Sequence, residues 1–258
     1  MQDFHVHSNY SDGSFLRGMV AAAEQAGLEG VGFADHCNVA SREPAERMRN
    51  LYGFSLDQTY KRRRQALETL RETSSIEIYD AVEMDYDPRD EVAIGEFLET
   101  AAFDYTIGSV HAVDGKNVQV ASNFADHSEG ELEAVAETYV EHLLSLVESE
   151  LFDVAAHVDL IERTDPLCGR LTDDHYRQIA RAFADSRTIP EINAGRAMTD
   201  KQLVHPDPTL VSMLCEFDVP FTLGTDAHRP VEVEPRVQFL EQYLETNGID
   251  PVGPALEN

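Results

Sequence analysis

The stretch Asp3-Phe4-His5-Val6-His7-Ser8, running into Ser11-Asp12-Gly13, decides how this chain folds. Side chains along a strand alternate between its two faces, so His5 and His7 point to one side. The turn that follows puts Asp12 a few residues beyond them. Outward from this start, short apolar runs recur at 31–34, 76–82, 105–110, 153–156, 189–192 and 220–223. With residues 3–6 they make seven strand candidates. Between them lie amphipathic stretches at 15–26, 56–72, 91–101, 129–147, 172–184, 208–217 and 233–244, where apolar residues recur at three- and four-residue steps. Strand–helix alternation over seven units predicts parallel strands with right-handed crossovers. The expected fold is α/β, a closed or nearly closed barrel of seven β/α units. Residues 41–56 lack a clear period and are expected to form a surface excursion. Arg62-Arg63-Arg64, inside a helical stretch, is expected to be a solvated face. No linker or repeat divides the chain, so a single domain over 1–258 is expected.

Polar ligand-type residues fall at the ends of these strands. His36 follows the second in Ala34-Asp35-His36, Glu83 the third in Ala81-Val82-Glu83, and His111 the fourth in Ser109-Val110-His111. His157 ends the fifth in Ala156-His157-Val158-Asp159, and Asp226 and His228 follow the seventh in Gly224-Thr225-Asp226-Ala227-His228. In a β/α barrel all strand C-termini open onto one face, which carries the active site. Six imidazoles and three carboxylates should therefore meet at one mouth. Imidazole and carboxylate suit zinc, manganese or iron. Nine ligands exceed the needs of one ion and suit two or three. One such histidine alone is more often a hydrogen-bonded structural residue; the ordered series is the signal. His127, His142, His175 and His205 lie outside it and are expected on the surface, on helices or, for His205, in a loop.

Composition bounds the partners. The chain has 258 residues, with 48 Asp and Glu against 20 Lys and Arg, a formal net charge of -28. Such a surface repels long nucleic acid and resembles that of proteins from a high-salt cytoplasm. Three scattered cysteines, Cys37, Cys168 and Cys215, make no disulfide framework or zinc motif and fit a reducing cytoplasm. The first residues lack the features of a signal peptide, and no run approaches the ~20 apolar residues of a membrane span. No obligate protein partner is evident.

Taken together, these pieces resemble the PHP family, the polymerase and histidinol phosphatase superfamily, from near the first residue to Pro230. Val82-Glu83-Met84-Asp85-Tyr86, Phe103 to His111, Phe152 to Ile161 and Pro190-Glu191-Ile192-Asn193 are similar to its stand-alone histidinol-phosphatase branch. The resemblance implies a distorted seven-stranded, TIM-like β/α barrel with a trinuclear metal site. It implies that His5, His7, Glu83 and Asp226 hold one ion, a bridging Glu83 with His111 and His157 a second, and Asp12, His36 and His228 a third. It implies hydrolysis of L-histidinol phosphate or, alternatively, of another small phosphomonoester or of nucleotide or nucleic-acid 3′ ends. The chain departs from the branch at Ala156, at Ala194-Gly195-Arg196 and in the loop 112–126, which lacks an aromatic-rich run. These departures spare the ligand set and fall on the substrate side.

Clustered divalent ions would activate water and clamp the oxygens of an in-line displacement. They would also make the mouth locally positive inside an acidic protein, as a phosphate anion requires. Asp226 and His228 are candidate catalytic residues, and Asp159, two residues past His157, is expected on the same strand side as a ligand orienter or proton donor. Arg163 and Arg196 are candidate phosphate forks, and Asn193 a candidate substrate contact. Asp3 and Asp35 are expected to back the histidines. A metal-binding module without catalysis is a competing class, against which a full ligand set weighs. A metal-dependent amidase is another, but amidohydrolase barrels place a ligating Lys at a strand end. Lys61, Lys116 and Lys201 are not at one.

Overall fold

In a computed structural model, described over residues 1–256, the chain alternates strand and helix from its first residues. The strands are β1 (Gln2–Val6), β2 (Gly30–Cys37), β3 (Glu77–Asp85), β4 (Tyr105–Ser109), β5 (Ala112–Val113), β6 (Lys116–Asn117), β7 (Val154–Ala155), β8 (Ile189–Arg196), β9 (Leu203–His205) and β10 (Thr222–Gly224). The helices are α1 (Leu16–Gln25), α2 (Glu43–Tyr52), α3 (Tyr60–Arg71), α4 (Glu91–Ala101), α5 (Glu129–Glu148), α6 (Asp173–Ala184), α7 (Pro208–Glu216) and α8 (Pro230–Asn247). The main sheet runs β1-β2-β3-β4-β7-β8-β10, every neighbouring pair parallel. These are the seven strands expected. The sheet curls until its edges meet: Val6 bridges Ala227 in parallel, the His7 amide donates to Ala227 O at 3.0 Å, and the Asp226 amide to His5 O at 2.8 Å. The seam is thus closed by residues of the ligand series itself.

Helix α1 shows why the helices lie where they do. Leu16, Met19, Val20 and Ala23 recur at three- and four-residue steps and are all buried. They pack with Val6, Val31 and Phe33 of the sheet, Leu67 of α3, and Val233 and Val237 of α8. Each such large apolar side chain contributes about 1.5–3 kcal/mol of burial. Starts are capped: α5 has a Ser128/Glu131 box, and Thr172 caps α6 by accepting from the His175 amide at 3.2 Å. Among the described residues no helix is long and apolar enough to cross a membrane.

One expectation gains detail and two are corrected. The surface excursion at 41–56 holds α2, which buries none of its residues and ends on Gly53 in the left-handed region (φ 74). Its Ala45, Met48 and Tyr52 recur at three- and four-residue steps and line a cleft instead of the core. Arg63 is not solvated: it is fully buried, donating to Asp35 at 2.8 Å and Asp80 at 2.6 Å. His205 is not a loop or surface residue: it ends β9, which pairs antiparallel with β8, and is buried.

Candidate metal centre

Backbone geometry brings the ligands together. His5 lies in β1 and His7 just past it, their Nε2 atoms 3.1 Å apart. Gly224 permits this: a Cβ there would lie 1.7 Å from Glu191 Oε1 and 2.6 Å from the His5 Cβ. His157 and Asp226 leave their strands with positive φ, 30° and 52°. Few non-glycine residues adopt that conformation without tertiary constraint.

Glu83 is the centre of the cluster. Its Oε1 lies 3.0 Å from His157 Nε2 and 3.3 Å from His111 Nε2; its Oε2 lies 2.7 Å from His36 Nδ1, 3.5 Å from His5 Nε2 and 3.6 Å from His7 Nε2. Asp12 Oδ1 stands 3.3 Å from His228 Nε2, 3.7 Å from His7 Nδ1 and 3.8 Å from His36 Nε2. Asp226 Oδ1 is 3.4 Å from His7 Nε2 and 3.6 Å from His228 Nδ1. All nine ligand-series residues thus converge.

Three groups have ligand atoms within 4.8 Å of one another: His7, Asp12, His36 and His228; His5, His7 and Glu83; His36, Glu83 and His111. This grouping overlaps the family-implied one but shares His7 and His36 between groups. The cluster also fits cations by what it lacks. Glu83 Oε2 is buried and no imidazole N–H points along a hydrogen bond to it, although His36 Nδ1 lies 2.7 Å away, and His157 Nδ1 is buried without a partner. A buried carboxylate oxygen left without a donor is costly unless a cation satisfies it.

Charge is tuned strongly here. Burial opposes ionisation of Glu83 and Asp226, but the histidines around each hold it well below the usual carboxylate range. Burial, helped by His228 and His36, pushes His7 down to about 4, and burial pushes His157 down to about 4. His111 goes up to about 10, where Glu83 and Asp85 overcome burial, and His228 to about 9, where Asp12 and Asp226 do. Ligating histidines must be neutral, so cations binding here displace protons.

Two acids that orient ligands stand outside the nine expected ligands. Glu191 Oε1 lies 2.7 Å from His5 Nδ1, and Asp85 Oδ1 2.5 Å from His111 Nδ1. Such partners fix the ring and its tautomer. The sequence signal that could have found Glu191 is its place in β8, two residues before Asn193 on the same strand face. Asp3 backs only the His5 amide, at 3.2 Å, and Thr225; Asp35 binds Ser8 and Ser11, not a histidine ring.

The expected substrate residues are spread unevenly. Asp159 is corrected: β7 ends at Ala155, and Asp159 lies beyond it with Oδ1 on His205 Nδ1 (2.5 Å) and Oδ2 on the Asp207 amide (2.6 Å). Arg163 reaches Asp226 Oδ2 at 3.6 Å; Asn193 is buried, donating to Glu191 at 3.0 Å; Arg196 is exposed at the end of β8. Beside the cluster opens a cleft of about 310 Å³. Asp12, His36 and His111 line it on one side, and Met48, Tyr52 and Phe54, in and after α2, on the other.

A parallel β/α barrel with a histidine–carboxylate cluster at its strand C-termini defines the class as a metal-dependent barrel hydrolase. The PHP domain profile matches residues 3–195, and the chain belongs to the PHP family. It is 26% identical over 238 residues to a probable histidinol-phosphatase of Deinococcus radiodurans, covering 90% of this chain and 87% of that protein. It is 26% identical over 247 residues to a histidinol-phosphatase of Lactococcus lactis, covering 88% and 83%. A crystal structure of histidinol phosphate phosphatase from Lactococcus lactis, complexed with zinc, L-histidinol and phosphate, shares the fold: TM-score 0.75, 22% identity, 98% of this chain and 95% of that one.

Proposed function

We propose that this chain is a metal-dependent phosphomonoesterase and that its substrate is L-histidinol phosphate. The observation that carries the chemistry is the nine-residue cluster around a buried Glu83 oxygen with no hydrogen-bond donor. The substrate rests on the two histidinol-phosphatases, which this chain matches over most of their length. His5, His7, Asp12, His36, Glu83, His111, His157, Asp226 and His228 would hold two or three divalent ions, with zinc, manganese and iron all suited. When bound, such ions supply charge neutralisation for the phosphoryl group and lower the pKa of a water molecule.

The chain's own residues do the rest. Arg163 turns its guanidinium towards Asp226 and so meets a phosphoryl group seated at the cluster. Asp226 and His228 flank that seat, Asn193 braces Asp226 from 3.4 Å, and Arg196 stands at the rim. The leaving group then lies in the cleft under Phe54 and Tyr52. A single domain over 1–258, whose residues 257 and 258 lie outside the described ones, and a high-salt cytoplasmic setting belong to the same reading.

The test is phosphate release in molar salt with added manganese or zinc. Substrates are histidinol phosphate, a nucleoside monophosphate and an aryl phosphate, each with and without chelator. Chelator-sensitive preference for histidinol phosphate is expected, with activity lost in Glu83→Ala and His228→Ala while both stay folded. Equal or better turnover of the others would keep the phosphatase and remove this substrate; normal turnover in either variant would remove the site assignment.

A further inference from the structure

We infer that His205, held by Asp159, is a positioning residue that aims the Arg163 guanidinium at the phosphoryl seat; this rests on Arg163 meeting the phosphate, as proposed above. The arrangement is a chain of three buried or nearly buried side chains. Arg163 Nε donates to His205 Nε2 at 2.9 Å. An arginine Nε–H can only donate, so His205 Nε2 carries no proton. The ring proton is therefore on Nδ1, which donates to Asp159 Oδ1 at 2.5 Å. Asp159 is itself fixed, because its Oδ2 accepts the Asp207 amide at 2.6 Å. The neutral tautomer of His205 is thereby set from both sides, and the guanidinium plane of Arg163 is set with it.

What this leaves free is the far edge of Arg163. Nη1 meets Gln119 Oε1 at 3.2 Å, while Nη2 meets only Asn193 Oδ1 at 3.4 Å and Asp226 Oδ2 at 3.6 Å. Good N–H···O bonds run from 2.7 to 3.2 Å, so Nε is tightly held, Nη1 is held at the edge of that range and Nη2 only loosely. That loosely held Nη2 faces Asp226, a member of the ligand cluster. Arginine is long and loses much rotamer freedom when immobilised; fixing it beforehand leaves less to lose when phosphate arrives. Strand β9 brings His205 opposite Asn193 of β8, so the clamp and the braced Asp226 share one piece of sheet.

The test uses metal-loaded full-length protein and inorganic phosphate, with binding measured by titration calorimetry beside kcat and KM. His205→Asn keeps an amide near the Nδ1 position and loses the reach to Arg163; His205→Gln places an acceptor near Nε2. Phosphate affinity is expected to fall about tenfold in the Asn variant, the loss of one charge-assisted contact, and to recover most of the way in the Gln variant. In an Arg163→Met background the Asn substitution should have no further effect, because both act on one contact. Additive losses, or wild-type affinity in His205→Asn, would overturn the positioning role. Unchanged phosphate binding in Arg163→Met would overturn it too, whatever the reaction. Phosphate binding that follows the expected pattern, in protein that hydrolyses no phosphomonoester, would support the clamp and remove only the proposed reaction.

Discussion

At the scale of the residue, Asp35 shows how a buried charge prepares the metal centre without touching it. Its Oδ1 accepts the Ser8 amide at 2.7 Å and the Ser11 hydroxyl at 2.6 Å, and its Oδ2 accepts the Ser8 hydroxyl at 2.7 Å and Arg63 at 2.8 Å. The loop that carries Asp12 is thus tied to β2 by one carboxylate. Burial opposes its ionisation, but Arg63, Ser11 and Ser8 hold its carboxyl below the usual range. A depressed native pKa means that the stabilisation is full above the unfolded value near 3.9 and is lost as pH falls through the native value. Asp35→Asn should therefore cost about 3 kcal/mol at neutral pH, with one of Arg63's two carboxylates gone. The gap from wild type should begin to narrow as pH falls below about 4 and close only below the depressed native value. Denaturant melts of both proteins at pH 7 and pH 3 check this, and a gap independent of pH would refute it. The sequence predicts that Asp35 backs the histidines; its partners are instead Ser8, Ser11 and Arg63, and nothing local links it to Arg63.

At the scale of the element, α2 and the residue after its cap line the cleft beside the metal centre. Phe54 stacks on the His36 ring, centroids 6.2 Å apart at 17°, and on Tyr52 at 5.8 Å and 24°. The acidic neighbours Asp87 and Asp90 are paired with Arg42 and Arg89, which leaves flat aromatic surface as the main offering. Phe54→Ala should raise KM for a ring-bearing phosphomonoester about tenfold, ~1.4 kcal/mol, with a smaller change in kcat and with bound metal retained. Steady-state kinetics with metal analysis decides it; a loss of metal without a KM effect would make Phe54 a support for His36 instead. The seven strands and the helices between them were legible from period alone. The helix within the excursion at 41–56 was not, because α2 is mostly charged and its few apolar residues, Ala45, Met48 and Tyr52, face a cleft and not the core.

At the scale of the whole molecule, a net charge of -28 surrounds a mouth built to hold cations. Several basic residues already serve acidic partners, among them Arg63, Arg64, Arg71 and Arg187, so the excess of carboxylates is left to solvent and salt. The screening length falls from about 10 Å at 0.1 M salt to about 3 Å at 1 M. Thermal melts should therefore shift upward from low to molar salt, and identical melting at both would refute an adaptation to high salt.

By itself the sequence determined the order of strands and helices and the chemistry at the strand ends. Both are written in residues close along the chain, His5 beside His7 and Asp226 beside His228. Only the tertiary structure decided which groups share a cation seat and which side chains aim them. His5 finds Glu191 across 186 residues, Asp159 finds His205 across 46, and Arg63 finds Asp35 across 28. Such partners leave no period in the chain. They meet because the sheet curls until β1 and β10 touch, and because the buried charges so gathered must each be paired.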